Sequence, residues 1–394
     1  MNQQIEPIAD HYDVIVVGAR AAGAATAMLS ARRGLSVLAV DRAPYGSDTL
    51  STHSLAGPGV LQLSRWGLLD RIRDAGTPVT KTVVFDYGGD RVSIDVPTRG
   101  DVDGLYAPRR TLLDATLVDA ARESGADVRH GVTMVQVTHD VRGRVDGVEL
   151  DIDGRRRLVS ARVVVGADGM RSRVARQVGA RTIHEEPVGA TSMFGYFEGF
   201  ADDTIVNHYA DDRVVGVIPT DGGLACVWVG MPLERFDRVA RGRIAEAHAE
   251  EIASVPELHA RLAGRRPIGG FKSFLGTPGF LKEAWGPGWA LVGDAGYFKD
   301  PVSAHGITDA FISAELLADA LGSAFTCGSD LAEALTHYQA QRDRMAAEMM
   351  PPVVAVASFG GDMRVVKDGF RAMSAAMRNE WQLIESTFGV LATC

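Results

Sequence analysis

The sequence predicts an α/β fold of the doubly wound type, with a sheet-rich insertion and helical C-terminal segments. Three strand–turn–helix signatures carry that prediction, at residues 12–41, 158–176 and 288–316. Each is a short apolar run, a glycine-containing turn, and then a helical pattern. Continuous apolar runs of this length are what parallel strands buried on both faces look like.

In the first signature, Tyr12 to Val17 reads as a buried strand and Gly18-Ala19-Arg20-Ala21-Ala22-Gly23 as a tight turn. A helix rich in small residues (Ala24, Ala25, Ala27) follows and stops at Gly34, a residue suited to the left-handed C′ position. Residues 36–40 form the second strand, and Asp41 stands at its end, 23 positions after Gly18. Strand, turn, helix, strand and acid in this order form a dinucleotide fingerprint. The turn places a helix N-terminus under a pyrophosphate, and the acid takes the ribose. Arg20 departs from it by occupying the second glycine position.

Residues 79–105 alternate apolar and polar around Gly88-Gly89, which reads as a hairpin. The stretch Arg110-Thr-Leu-Leu113-Asp-Ala-Thr-Leu117 begins a helix whose buried face is Leu113, Leu117 and Ala121. Taken alone, Arg109 and Arg110 are a solvated pair. Strands are expected at 127–140, 145–152 and 158–165 as a meander, the last leading into Asp168-Gly169 and a basic helix start with Arg171. Residues 184–276 change character, with strands at 191–197, 205–209, 214–218 and 224–229 and a single helix over 234–254. The segment 288–316 reads as a strand, a Gly293-Asp294 turn, a Pro301 loop and a helix from Gly306. Its helical pattern resumes beyond Ser329 to about 349. Pro351-Pro352 is expected to break it, and a last helix is expected over 373–391.

An acid at a strand end binds a polyol, and a small-residue helix N-terminus stabilises an anionic ring edge. Together these point to a flavin. The three motifs, with the Arg-x-x-Leu-x-x-x-Leu stretch at Arg110, resemble the para-hydroxybenzoate-hydroxylase-like FAD-dependent oxidoreductases. That group includes single-component (group A) aromatic and polyketide monooxygenases, geranylgeranyl reductase-like proteins and flavin-dependent halogenases. The likeness covers roughly residues 10–345. It implies an FAD-binding Rossmann-like (glutathione-reductase-type) domain with an inserted β-sheet substrate domain and C-terminal helices. The corresponding boundaries are 1–78, 106–183 and 277–345 for the discontinuous FAD-binding domain, 79–105 and 184–276 for the substrate domain, and 346–394 for the tail.

The resemblance also implies contacts. Gly18, Arg20, Ala21, Ala22 and Gly23 would meet the pyrophosphate, Asp41 and Arg42 the adenosine side, and Arg110 and Asp168 the cofactor from neighbouring elements. Asp294 would bind the ribityl chain, and Gly306, Ile307 and Thr308 would border the isoalloxazine beside Pro301. Hydroxylases commonly carry Asn where Thr308 stands. Only one dinucleotide fingerprint is present, so NADPH or NADH would act as a transient electron donor, aided by Asp168 and Arg171. The leading activity is monooxygenation through a C4a-hydroperoxyflavin. Candidate bases are His305 foremost, then His53, His208 and Tyr209, with Lys299 nearby. The alternative is a geranylgeranyl reductase-like enzyme acting on C=C bonds of an isoprenoid or polyene, because the Pro301–Ser313 stretch fits that group's pattern almost equally well. The halogenase Gly-Trp-x-Trp-x-Ile-Pro motif survives only as Ile218-Pro219.

Bulk properties set limits. The 394 residues have room for two associated domains, and the 46% apolar and 23% charged content is ordinary for a globular protein. A net charge of −9 offers no basic surface for nucleic acid or anionic membrane. No run approaches the ~18 apolar residues of a spanning helix. Cys226, Cys327 and Cys394 show no CxxC pair and no metal-ligand spacing, which favours ordinary thiols in a reducing cytoplasm. The aromatics Phe194, Tyr196, Phe197, Tyr209 and Trp228 suit a small apolar or aromatic substrate, and equally a sheet core. Substrate identity and oligomeric state stay open at this level.

Overall fold

The computed structural model describes residues 7–200 and 202–387. Its first layer is an eight-stranded sheet ordered Trp285–Gly286, Trp289–Leu291, Arg155–Gly166, His11–Val17, Val37–Asp41 and Asp127–His130, with Val132–His139 and Val145–Ile152 added through Arg155–Gly166. His11–Val17 lies between two parallel neighbours, Val37–Asp41 and Arg155–Gly166. Alternate side chains of these strands feed separate cores. Val14, Val16, Val37 and Ala39 pack under helices, while Ile15, Val17, Leu38 and Val40 pack under the meander. This two-sided burial is why the strands read as continuous apolar runs.

The helices Ala21–Arg32, Arg110–Glu123 and Gly306–Thr326 cover the first of these cores. Closest approach occurs at the turn. Gly18 has φ +100°, and a Cβ there would lie 2.4 Å from the Ala167 carbonyl oxygen. A Cβ on Gly23 would lie 1.7 Å from the Gly18 carbonyl oxygen. The first expected meander strand divides at Gly131 (φ +73°), leaving Asp127–His130 in the parallel sheet and Val132–His139 in the meander.

A second sheet has seven strands, ordered Ile268–Phe274, Thr191–Glu198, Leu224–Met231, Arg213–Thr220, Thr204–Ala210, Thr82–Tyr87 and Asp90–Asp95. The hairpin 82–95 joins it by parallel pairing of Thr82–Tyr87 with Thr204–Ala210. The single helix expected over 234–254 is instead two, Leu233–Val239 and Ile244–Ala253, and a third, Pro256–Leu262, follows beyond it. Gly242, at φ +78°, turns the chain between the first two, and Pro256 starts the third.

The expected break at Pro351-Pro352 does not occur, because the helix Leu331–Ala357 runs through both. A proline inside a helix costs roughly 3 kcal/mol, and here packing on either side offsets it. Met349, Val353 and Val356 are buried against the helix Met363–Thr387. Gly369 of that helix lies so close that a Cβ would come within 2.6 Å of Val356 Cγ2 and 3.2 Å of the Pro352 carbonyl oxygen. This last helix starts ten residues before the expected 373, where Asp362 accepts a hydrogen bond from the Arg364 N–H; residues 388–391 lie outside the described residues.

Cys226 is a buried free thiol. Cys327 is disulfide-bonded, which corrects the expectation of an ordinary thiol and which no short spacing announces. Cys394 lies outside the described residues. No helix among the described residues is long and apolar enough to cross a membrane.

The close approach at the turn gives a stability prediction. Gly23→Ala pushes a methyl group into backbone that has no side chain to move aside, and should cost about 3 kcal/mol or more. Thermal and urea unfolding of the purified variant check this; a wild-type midpoint would contradict it.

Candidate functional site

The Gly18–Gly23 turn is locked from both sides. The Gly18 N–H donates to the Val40 carbonyl oxygen (2.8 Å), and the Ala19 N–H donates to Asp41 Oδ2 (2.9 Å). Asp41 Oδ1 accepts from the Ala43 N–H (2.8 Å), so this carboxylate ties the turn to the loop after the second strand. Arg42 beside it is exposed. The Ala21–Arg32 helix has no side-chain cap, which leaves the first-turn N–H groups of Ala21, Ala22 and Gly23 without intrahelical acceptors.

Arg20 resolves its awkward position by folding away from the turn. Its guanidinium donates to the Ser47 carbonyl oxygen (3.1 Å) and to Asp114 Oδ2 (3.2 Å). Arg110 meets the same carboxylate in a bidentate pair, at 2.9 and 3.0 Å. Buried Asp114 therefore bridges the turn to the N-terminus of the Arg110–Glu123 helix. Sequence reasoning missed it, although its i, i+4 spacing from Arg110 was a usable signal. Arg109 instead spans to Asp48 (3.3 Å), which also pairs with Lys272, and its guanidinium sits 4.5 Å from the centre of the Tyr196 ring.

Across the sheet, Gly293-Asp294-Ala295 forms one turn of 3₁₀ helix. A Cβ on Gly293 would lie 2.8 Å from that of Ala22, so the two turns nearly touch. The Asp294 carboxylate has no hydrogen bond or ion pair among the described residues. Burial pushes it up to about 6, against the pull of Lys299 and Arg110. Gly306 opens the next helix, and a Cβ there would meet nothing nearer than Asp294 Oδ1 at 4.0 Å. Thr308 is buried with its Oγ1 unpartnered, and a Cβ on Gly59 would come within 2.6 Å of it. Ile307 is buried between them in sequence. A bare helix N-terminus, an unpartnered acid and an open glycine face are what FAD requires, and the residues fit it.

Asp168 is committed locally. Its Oδ1 accepts from Ser172 Oγ (2.5 Å), and its Oδ2 accepts from the N–H groups of Arg173 (2.6 Å) and Val174 (3.2 Å). It shapes the turn at the start of the helix Arg173–Gln177. Arg171 is exposed beside it.

A cavity of about 370 Å³ lies between the second sheet, the Pro301–Ala304 loop and the Met363–Thr387 helix. Its apolar walls include Val83, Phe85, Ile218, Trp228, Met373 and Met377. Pro301 is on the wall; His305 and His53 are not. Both histidines are buried behind it. His53 Nδ1 lies 3.0 Å from the Ala107 carbonyl oxygen and Nε2 lies 3.1 Å from Tyr196 Oη, and burial pushes it down to about 3. His305 sits among Lys299, Asp309 and Glu380. His208 faces Asp86 and Glu257 instead. Among the ionisable wall groups, Asp300 already accepts from the N–H groups of Ala190 and Val302, burial raises Tyr209 well above the phenol range, and Asp95 is exposed on the edge strand.

With turn, acid and cavity in place, the comparisons fall in line. The chain belongs to the FAD-binding domain family, whose model matches residues 11–351. It is 32% identical over 331 residues to a menaquinone reductase of Mycolicibacterium smegmatis, covering 79% of this chain and 76% of that protein. It is 27% identical over 342 residues to a digeranylgeranylglycerophospholipid reductase of Methanocella arvoryzae, covering 84% and 82%. Its fold matches that of PqsL from P. aeruginosa in complex with 2-aminobenzoylacetate (TM-score 0.79, 23% identity, 92% of this chain and 100% of that one). The myxobacterial chondrochloren halogenase matches as well (TM-score 0.79, 21% identity, 96% and 92%). The chain is thus a flavin-dependent oxidoreductase by family.

Asp294 gives a pH prediction. Its carboxylate form grows as pH rises through about 6, and ribityl hydroxyls donate to that form. FAD affinity of the apoprotein should rise with pH across that window and level off above it. Asp294→Asn should weaken FAD binding roughly 10- to 100-fold at neutral pH and flatten the pH dependence, given ~1.5–3 kcal/mol for a hydrogen bond to a charged group. Quenching of FAD fluorescence reads both; equal affinities at all pH values would contradict the assignment.

Proposed function

We propose that this chain is an FAD-dependent monooxygenase that uses NADPH or NADH and O2 to oxygenate a small apolar or aromatic substrate. The observation that carries the reading is the apolar cavity walled by the Pro301–Ala304 loop, at the helix start whose Gly306 faces Asp294. FAD bound there supplies electron transfer and oxygen activation.

The chain's own residues bind, orient and exclude water. First-turn N–H groups of Ala21, Ala22 and Gly23 hold the pyrophosphate, with Arg20 and Arg110 set beside them by Asp114. Asp41 keeps a lone pair on each oxygen for the adenosine ribose, and Asp294 takes the ribityl chain. The backbone of Gly306, Ile307 and Thr308 presents the positive end of a 21-residue helix to the ring edge. Pro301 and the Trp228–Met377 wall keep the reacting space dry. Asp168, occupied by capping, contributes the shape of its turn to the passing nicotinamide cofactor and Arg171 contributes charge.

The wall holds no uncommitted buried base, so the substrate is one that reacts without deprotonation, such as an electron-rich ring or a polyene. The reductase relatives favour a second reading, reduction of C=C bonds in an isoprenoid. The volume of about 370 Å³ sits at the low end of the ~300–1,000 Å³ of small-molecule sites and suits a compact substrate better than a long prenyl chain.

Two experiments test this. Turnover under isotopically heavy O2 should place one labelled oxygen in the product; an anaerobic product that instead gains two hydrogens would establish the reductase reading. Ser374→Trp, which fills the cavity, should abolish substrate-dependent turnover while the protein still binds FAD. Unchanged turnover in that variant would move the substrate elsewhere.

A further inference from the structure

Behind the first turn of the Gly306–Thr326 helix lies a sealed ionic cluster. Lys299 pairs with Asp309. His305 Nδ1 is 3.0 Å from Asp309 Oδ1 and 3.3 Å from Lys299 Nζ. On the other side of the ring, Nε2 is 2.8 Å from Glu380 Oε2, at angles that leave both atoms without a hydrogen bond. Side-chain exposures are 0% for His305, 3% for Lys299, 4% for Glu380 and 11% for Asp309. Asp294, Tyr297 and Arg342 complete the charged and titratable surroundings.

Two carboxylates here face one amine, which burial pushes down to about 7 against the pull of Glu380 and Asp294 and which is an ammonium below that pH. With a neutral imidazole the cluster carries one net negative charge, and with an imidazolium it is neutral and has a carboxylate on each side of the ring. The donor set would also suit a divalent cation by type, but Nδ1 and Nε2 point in opposite directions and Lys299 already occupies the Asp309 carboxylate. A proton fits the vacancy in charge better than a metal does.

His305 is also the N-cap of the Gly306–Thr326 helix and makes no capping hydrogen bond. Its charge is therefore felt at the helix end that borders the flavin, on the reading given above, on which this inference rests. We propose that the His305–Glu380 pair is a redox-linked proton site. When the flavin accepts a hydride equivalent and gains negative charge, His305 takes up one further proton from solvent and holds it between Asp309 and Glu380. The electrons come from the nicotinamide donor, and no other group is oxidised. His305 acts through the helix end as a positioning residue, and Glu380 supplies the second carboxylate from the C-terminal helix, beyond the residues that match the family.

The sign follows from the surroundings. Burial and Lys299 hold His305 below the ordinary imidazole range while Glu380 pulls it upward. Negative charge on the flavin raises it further. Between the oxidised-state and reduced-state values, falling pH favours reduction, and the midpoint potential rises.

Spectroelectrochemical titration of the FAD-loaded protein against pH tests this, with Glu380→Gln and His305→Gln alongside. Wild type should show a steeper fall of potential with pH than either variant. The extra slope approaches about 30 mV per pH unit, the tenfold equivalent for a two-electron couple. Reduction in weakly buffered solution should take up one more proton in wild type than in Glu380→Gln, whose isosteric change keeps the helix contact if His305→Gln fails to fold. Equal slopes and equal proton uptake in wild type and Glu380→Gln would overturn the proposal alone. Folded protein that binds no FAD would overturn it together with the FAD reading.

Discussion

Everything functional in this chain is hung on one backbone contact. The Gly18 turn runs so close to Ala167, and Gly23 so close to Gly18, that no side chain fits between strand end and helix. That contact fixes where the Ala21–Arg32 helix begins, and hence where its free N–H groups point. It also lets Gly293 come against Ala22, bringing the Asp294 turn into the same crevice. Loosening it by one methyl group would separate the start of the Ala21–Arg32 helix from the Asp294 turn.

Charge is arranged around that crevice in two layers. The outer layer pairs Arg20 and Arg110 on Asp114, and Arg109 and Lys272 on Asp48, so each of these cations is held in place by a carboxylate. The inner layer is sealed from water, where each charge interacts more strongly with the next. It joins Lys299, His305, Asp309 and Glu380 behind the helix end. The C-terminal helix contributes to the cavity, the ionic cluster and the core. Phe370, Met373 and Met377 wall the cavity, Glu380 enters the inner layer, and Trp381 and Ile384 join the main core. A change in that helix is therefore felt at the cavity wall and in the ionic cluster together.

The cavity explains why fold and relatives leave more than one reaction open. Its wall is largely apolar beside the Pro301 loop, and its acids are either engaged or exposed at its edge. A site of this kind orients and protects rather than activates. A flavin bound there would carry either oxygen transfer or hydrogen transfer, according to what reached it.

The sequence by itself determined the parts whose partners are near in the chain. Gly18, Gly23 and Asp41 belong to one strand–helix–strand unit. Most strands of the two larger sheets and the face formed by Leu113, Leu117 and Ala121 follow from periodicity, whereas the edge strands Ile268–Phe274 and Trp285–Gly286 did not show in it. Tertiary structure decided what depends on distant neighbours. Asp114 became a bridge only because Arg20 folds across to it. Pro351-Pro352 stayed helical because Val356 and Gly369 pack together from separate helices. His305, read from its own loop as a candidate base, is fully buried, and Glu380, far along the chain, stands beside its ring. Local spacing sets backbone geometry, whereas burial and charge neutralisation are properties of the assembled interior.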